Sequence, residues 1–121
     1  MPRLARRLVI VVALTTAATI GVVGVTSAAT SLNISARKAS LKFTKSTLRA
    51  EPGKVTIRMA NPSSTKHAIG IEGRGIDKHG KTVGKGGTSR VTVTLKRGTY
   101  SFYCPVGGHE DAGMKGRLIV S

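Results

Sequence analysis

Cys104, His109 and Met114 stand at five-residue intervals near the C-terminus, within the stretch "YSFYCPVGGHEDAGMKG". A thiolate, an imidazole and a thioether are soft or borderline donors, a combination suited to a transition metal. Gly107, Gly108 and Gly113 let the backbone between them bend tightly around one point. Pro105 removes a backbone N–H that would compete for the adjacent sulfur. Cys104 is the only cysteine of the chain, so it has no intramolecular disulfide partner. A lone cysteine is more often an inert buried thiol, and a lone methionine more often core. Met114, however, sits in a loop between Gly113 and Lys115, a poor place for core packing.

One further imidazole would complete a trigonal His2Cys set with a weak axial methionine, the geometry of blue-copper electron-transfer sites. The chain has three histidines. His79 lies between Lys78 and Gly80 in a Gly/Lys-rich segment and reads as exposed. His67 opens the pattern "KHAIGIEG", with the parity of inward Ile69 and Ile71. A core histidine is the plainer reading of that position, but it can supply the missing donor. A strand start in one hairpin can lie beside the strand-end loop of another, which would bring His67 to the pole holding Cys104.

The elements needed to build such a pole read as β. No segment after Thr30 sustains a helical apolar period, and turn signals recur at short intervals. "SLKFTKSTL" places Leu41 and Phe43 on one face. "KVTIRMAN" puts Val55, Ile57 and Met59 inward, and "TSRVTVTL" does the same for Val91, Val93 and Leu95. Tyr100, Phe102 and Cys104 share a face, and "GRLIVS" closes the domain. Residues 73–87, "GRGIDKHGKTVGKGG", read as a long solvated loop. The expected fold is all-β, an antiparallel sandwich or Greek-key barrel of about seven to eight strands.

The stretches "NPSSTKHAIGIEG" and "GTYSFYCPVGGHEDAGMKGRLIV" resemble the cupredoxin, or type 1 blue copper, family. The loop spacing is most similar to its azurin, rusticyanin and auracyanin-like branches, and the similarity spans residues 41–121. The resemblance implies one copper ion held by His67, Cys104, His109 and Met114. It implies a one-electron carrier that docks redox partners on an apolar patch around His109, built from Pro105, Val106, Gly107, Gly108 and Ala112. Many family members follow the first histidine with an asparagine that ties the ligand loops together. Here the residue is Ala68, so the brace would have to come from Asn61, Ser63 or Thr65.

Related copper enzymes need further histidines, and two of the three here are already assigned. Dinuclear copper centres need a second cysteine, where Gly108 stands. An electron carrier is therefore expected and an enzyme is not. The alternative is a copper carrier or chaperone using the same ligands without a redox role.

The N-terminus carries Arg3, Arg6 and Arg7, then an apolar run from Leu8 to Val25, then small residues. It reads as a signal peptide over residues 1–29, cut after Ala29, ahead of a copper-binding domain over residues 30–121. A retained membrane-anchor helix is the alternative, since the apolar run approaches the roughly 18 residues that can span a bilayer. Either outcome puts the domain outside the cytoplasm, in the periplasm or on the outer membrane face. Arg6-Arg7 hints at twin-arginine export. The net charge of +15 arises from 20 basic and five acidic residues. Such an excess favours an acidic partner, such as anionic lipid or an envelope polymer. Two tyrosines and two phenylalanines are the only aromatics, too few for a base-stacking platform. Nucleic acid is not expected as a partner, and the domain is expected to be a monomer.

Overall fold

The computed structural model describes residues 13, 15–17, 21 and 29–121. The leader and its alternative, an anchor helix, otherwise lie outside the described residues. Among the described residues, no helix is long and apolar enough to cross a membrane.

Alternating apolar and polar residues make strands here because each strand buries one face only. In β3 (Gly53–Ala60), Val55, Ile57 and Met59 are fully buried while Lys54 and Arg58 are exposed. In β6 (Thr88–Leu95) every second residue, from Ser89 to Leu95, is buried. These two strands pair antiparallel, and β1 (Ala29–Ser35) joins β3 in parallel to form a three-stranded sheet. The second sheet has five strands, in the order β2 (Thr47–Ala50), β8 (Lys115–Val120), β7 (Gly98–Tyr103), β4 (Gly70–Gly73), β5 (Ile76–His79). The chain crosses between sheets after β1, β2, β3, β5 and β6, giving the eight-stranded all-β sandwich of Greek-key type. Ile57, Met59 and Leu95 meet Ile71, Phe102 and Leu118 between the layers. Each such side chain contributes about 1.5–3 kcal/mol on burial.

Three expectations need correction. "SLKF" does not form a strand: Phe43 makes only an isolated bridge with Ala36, and the strand follows at Thr47–Ala50. Phe43 turns in to pack on Phe102, with ring centroids 5.6 Å apart, while Leu41 stays half-exposed. A core aromatic in a crossing loop therefore imitated strand alternation. Residues 73–87 are not one long loop: β4 and β5 form a tight hairpin, turning at Arg74 (φ 52) and Gly75 (φ 81). β5 was hidden because Asp77, Lys78 and His79 are all exposed and only Ile76 is half-buried. His67 does not open a strand. It forms an isolated bridge with Val83, ahead of β4.

Candidate metal centre

β3 and β7 end at one pole of the sandwich, and β4 and β8 begin there. The register Gly70↔Tyr103 between β4 and β7 sets the His67 segment beside Cys104. Tyr103↔Lys115 between β7 and β8 makes residues 104–114 the loop of an antiparallel hairpin. The backbone closes this loop on itself. Cys104 N–H donates to the Met114 carbonyl at 3.0 Å, and Met114 N–H donates to the His109 carbonyl at 3.0 Å. Gly108 (φ 78) and Gly113 (φ 105) adopt conformations that residues with a Cβ avoid, on either side of His109. The loop thus links Cys104, His109 and Met114 by two hydrogen bonds, and the cysteine and methionine are fully buried.

His67 is held from the other side. Its N–H donates to the Val83 carbonyl at 3.1 Å, and its carbonyl accepts from Val83 N–H at 2.8 Å. Asn61, only 1% exposed, fixes the loop leading to it. Its Nδ2 donates to the carbonyls of Thr65 (2.8 Å) and Val83 (2.9 Å). Its Oδ1 accepts from the Ser63 N–H (3.0 Å) and the Ser63 hydroxyl (2.7 Å). This network braces the loop that carries His67; its four bonds do not reach residues 104–114, so it does not tie the two ligand loops together, and Ala68 itself is fully buried.

The two arms bring three donor atoms together. His67 Nδ1 lies 3.2 Å from His109 Nδ1, and Cys104 Sγ lies 3.9 Å and 3.6 Å from these two nitrogens. A metal about 2.0 Å from imidazole nitrogen and about 2.3 Å from thiolate sulfur separates its donors by roughly 3.3–3.7 Å. The observed spacings bracket that range, so the donor set fits a single ion. Burial, and then the nearby His109, push the His67 pKa below its ordinary value. That direction favours the neutral imidazole, the form that ligates. His109 is the half-exposed member of the trio, rimmed by half-buried Pro105 and Val106 and exposed Gly107, Gly108 and Ala112. His79 lies on β5, outside the cluster, as expected.

The charge around this pole is divided. Asp77, Glu110 and Asp111 line a cavity of about 310 Å³ beside Cys104 and Tyr103. Glu72 lies next to them, so four of the chain's five acids gather on one flank. The Glu72 carboxyl is raised above its usual range, first by its hydrogen bond with Glu110 and then by burial and the nearby acids. The Tyr103 hydroxyl donates to Asp77, and burial followed by that bond raises its pKa. Glu72 and Asp77 reach this flank as paired residues of the β4–β5 hairpin.

The family model for a cupredoxin-like domain matches residues 7–120. This chain belongs to the cupredoxin-like family. Solved structures similar to this cupredoxin-like chain include a dithionite-reduced auracyanin from Roseiflexus castenholzii, at 24% identity and a TM-score of 0.68, covering 78% of this chain and 99% of the other. Auracyanin B aligns at 21% identity and a TM-score of 0.69, over 79% of this chain and 91% of its own. Auracyanin A, a "blue" copper protein of Chloroflexus aurantiacus, aligns at 22% identity and a TM-score of 0.67, over 78% and 100%. These likenesses concern the fold. No curated protein matches the sequence.

Proposed function

We propose that this cupredoxin-like chain is a mononuclear type 1 copper protein that carries single electrons between extracytoplasmic redox partners. The convergence of His67 Nδ1, Cys104 Sγ and His109 Nδ1, all within 4.8 Å of one another, carries the reading. Met114 is the proposed axial ligand, since the loop's hydrogen bonds tie its backbone to those of Cys104 and His109. The copper would supply a one-electron couple between Cu(I) and Cu(II), for which thiolate, thioether and imidazole are suitable donors.

The residues of this chain do the rest. The Asn61 network and the Val83 bridge hold the His67 backbone in place from one side, and the β7–β8 hairpin holds Cys104 from the other. Two independent anchors limit rearrangement of the donors when the charge changes, which favours rapid outer-sphere transfer. The His109 edge reaches the surface through the apolar rim of Pro105, Val106 and Ala112, the proposed docking face for redox partners. The likeness to an auracyanin described as a blue copper protein supports the metal. A carrier and not an enzyme is proposed, acting as a monomer.

The proposed domain division is a signal peptide over residues 1–29 and the copper domain over residues 30–121. Export would place the domain in the periplasm or on the outer face of the membrane, with a retained anchor as the alternative. Anionic lipid or an envelope polymer could contact the basic surface; nucleic acid is not a proposed partner. The function is tested by metal analysis and voltammetry. One copper per chain and a reversible one-electron wave, both abolished in Cys104→Ala, are expected. A copper-binding chain without a reversible wave would favour the carrier or chaperone role.

A further inference from the structure

The three glycines of the ligand loop differ in what covers them. A Cβ added at Gly107 or Gly108 would meet nothing within 4 Å. Gly113, the residue before Met114, is covered by a charge. Its chain neighbours aside, a Cβ there would meet one atom within 4 Å, the Lys42 Nζ at 3.3 Å. An ammonium therefore lies against the ligand loop, beside the proposed axial ligand. It reaches the loop from a pinned segment. The Lys42 carbonyl accepts from the Arg37 N–H at 2.9 Å, and the Thr44 N–H donates to the Ser35 carbonyl at 2.8 Å. Phe43, the next residue, is buried against Phe102, two residues before Cys104. This segment joins β1 to β2, and β2 and β5 are opposite edges of the five-stranded sheet. Lys42 thus approaches the pole from the β2 side, whereas Glu72 and Asp77 stand on the β4–β5 side.

We propose that Lys42 tunes the proposed copper site, its ammonium raising the reduction potential. The inference rests on the copper reading and goes beyond the identity of the ligands. Reduction of Cu(II) to Cu(I) adds one electron and lowers the charge of the ion by one. A cation held beside the site repels Cu(II) more than Cu(I), so it favours the reduced state. Gly113 contributes because a side chain there would hold the ammonium away from the loop. Lys42 is exposed, so solvent and salt screen its charge and keep the effect modest. Glu110 and Asp111, on the ligand loop itself, act in the opposite sense, and Lys42 offsets them.

The test is voltammetry of the copper-loaded full chain at low ionic strength, with Lys42→Arg, Lys42→Gln and Lys42→Glu. Lys42→Arg keeps the charge and should keep the potential. Lys42→Gln should lower the preference for Cu(I) over Cu(II) about threefold, or about 28 mV at the roughly 59 mV per tenfold change of a one-electron couple. Lys42→Glu reverses the charge and should lower the preference about tenfold, or about 59 mV. Both differences should shrink in concentrated salt. Lys54→Gln should leave the potential unchanged, because Lys54 opens β3 and lies roughly 20 Å from the pole by strand rise. The visible spectrum should be the same throughout the series, which separates a charge effect from a disturbance of the ligands. Equal potentials in the wild type, Lys42→Gln and Lys42→Glu would overturn the proposal and leave the copper reading standing. So would a drop in Lys42→Arg as large as that in Lys42→Gln, or spectra that change along with the potential. A wild type without a type 1 spectrum would overturn both.

Discussion

Replacing Asn61 with alanine removes four hydrogen bonds from one buried side chain. The consequences for its partners differ. The Thr65 carbonyl can keep the Ser63 hydroxyl, at 3.0 Å, and the Val83 carbonyl keeps the His67 N–H. The Ser63 hydroxyl can donate to Thr65, but the Ser63 N–H loses its acceptor. Each lost bond costs about 1 kcal/mol and an orphaned buried group about 1–3 kcal/mol, so part of the formal loss is recovered and the net cost is about 3 kcal/mol. With a urea m-value of about 1–3 kcal/mol/M, the midpoint should fall by roughly 1–3 M. The His67 ring also loses its supporting loop, and disturbing outer-shell support of this kind weakens metal affinity about 10–100-fold. Urea unfolding of the metal-free chain and copper competition titration read the two effects separately. A midpoint within about 0.2 M of wild type, given such m-values, would refute the assignment of Asn61 as the brace.

Gly116→Ala should destabilise the domain by about 1–3 kcal/mol in chemical denaturation, as overpacking does. Its Cβ would lie 2.2 Å from Phe102 Cζ and 2.6 Å from the Ser46 carbonyl oxygen, and Phe102 is fully buried. Tyr103 has a raised pKa in the folded state, so the unfolded chain ionises first and stability should decline as pH rises above about 10. Tyr103→Phe should flatten that alkaline decline in pH-dependent unfolding while lowering stability at neutral pH through loss of the Asp77 bond. Glu72 also has a raised pKa, so its contribution is present at acid pH and is lost as pH rises through its folded value. Glu72→Gln should therefore flatten the pH dependence of the unfolding midpoint on the acid side, measured by thermal melts across that range.

Local patterns carried most of what the sequence made legible. The alternation in β3 and β6 was plain because each presents one face to the core and the other to water. The tail motif was plain because three of the proposed ligands share a single hairpin loop, where spacing alone brings them together. His67 depended on tertiary register instead. Residues 67–71 are all buried, so no alternation marks a strand there, and only the β4–β7 pairing explains its position. The β4–β5 hairpin escaped notice for the opposite reason, since three of the four residues of β5 face solvent. Phe43 misled because one core aromatic beside a half-exposed leucine resembles a strand pair. The role of Asn61 could be anticipated only as one of three residues, because a polar side chain in a loop does not reveal whether it is buried.

The central claim is that His67, Cys104, His109 and Met114 hold copper in a type 1 site. Optical and EPR spectra of the copper-loaded, oxidised chain test it most directly, with Cys104→Ser as control. The account predicts an intense visible thiolate-to-Cu(II) charge-transfer band and a narrow hyperfine splitting in the wild type, both lost in the variant. A weak visible spectrum with a wide hyperfine splitting in the wild type would contradict it.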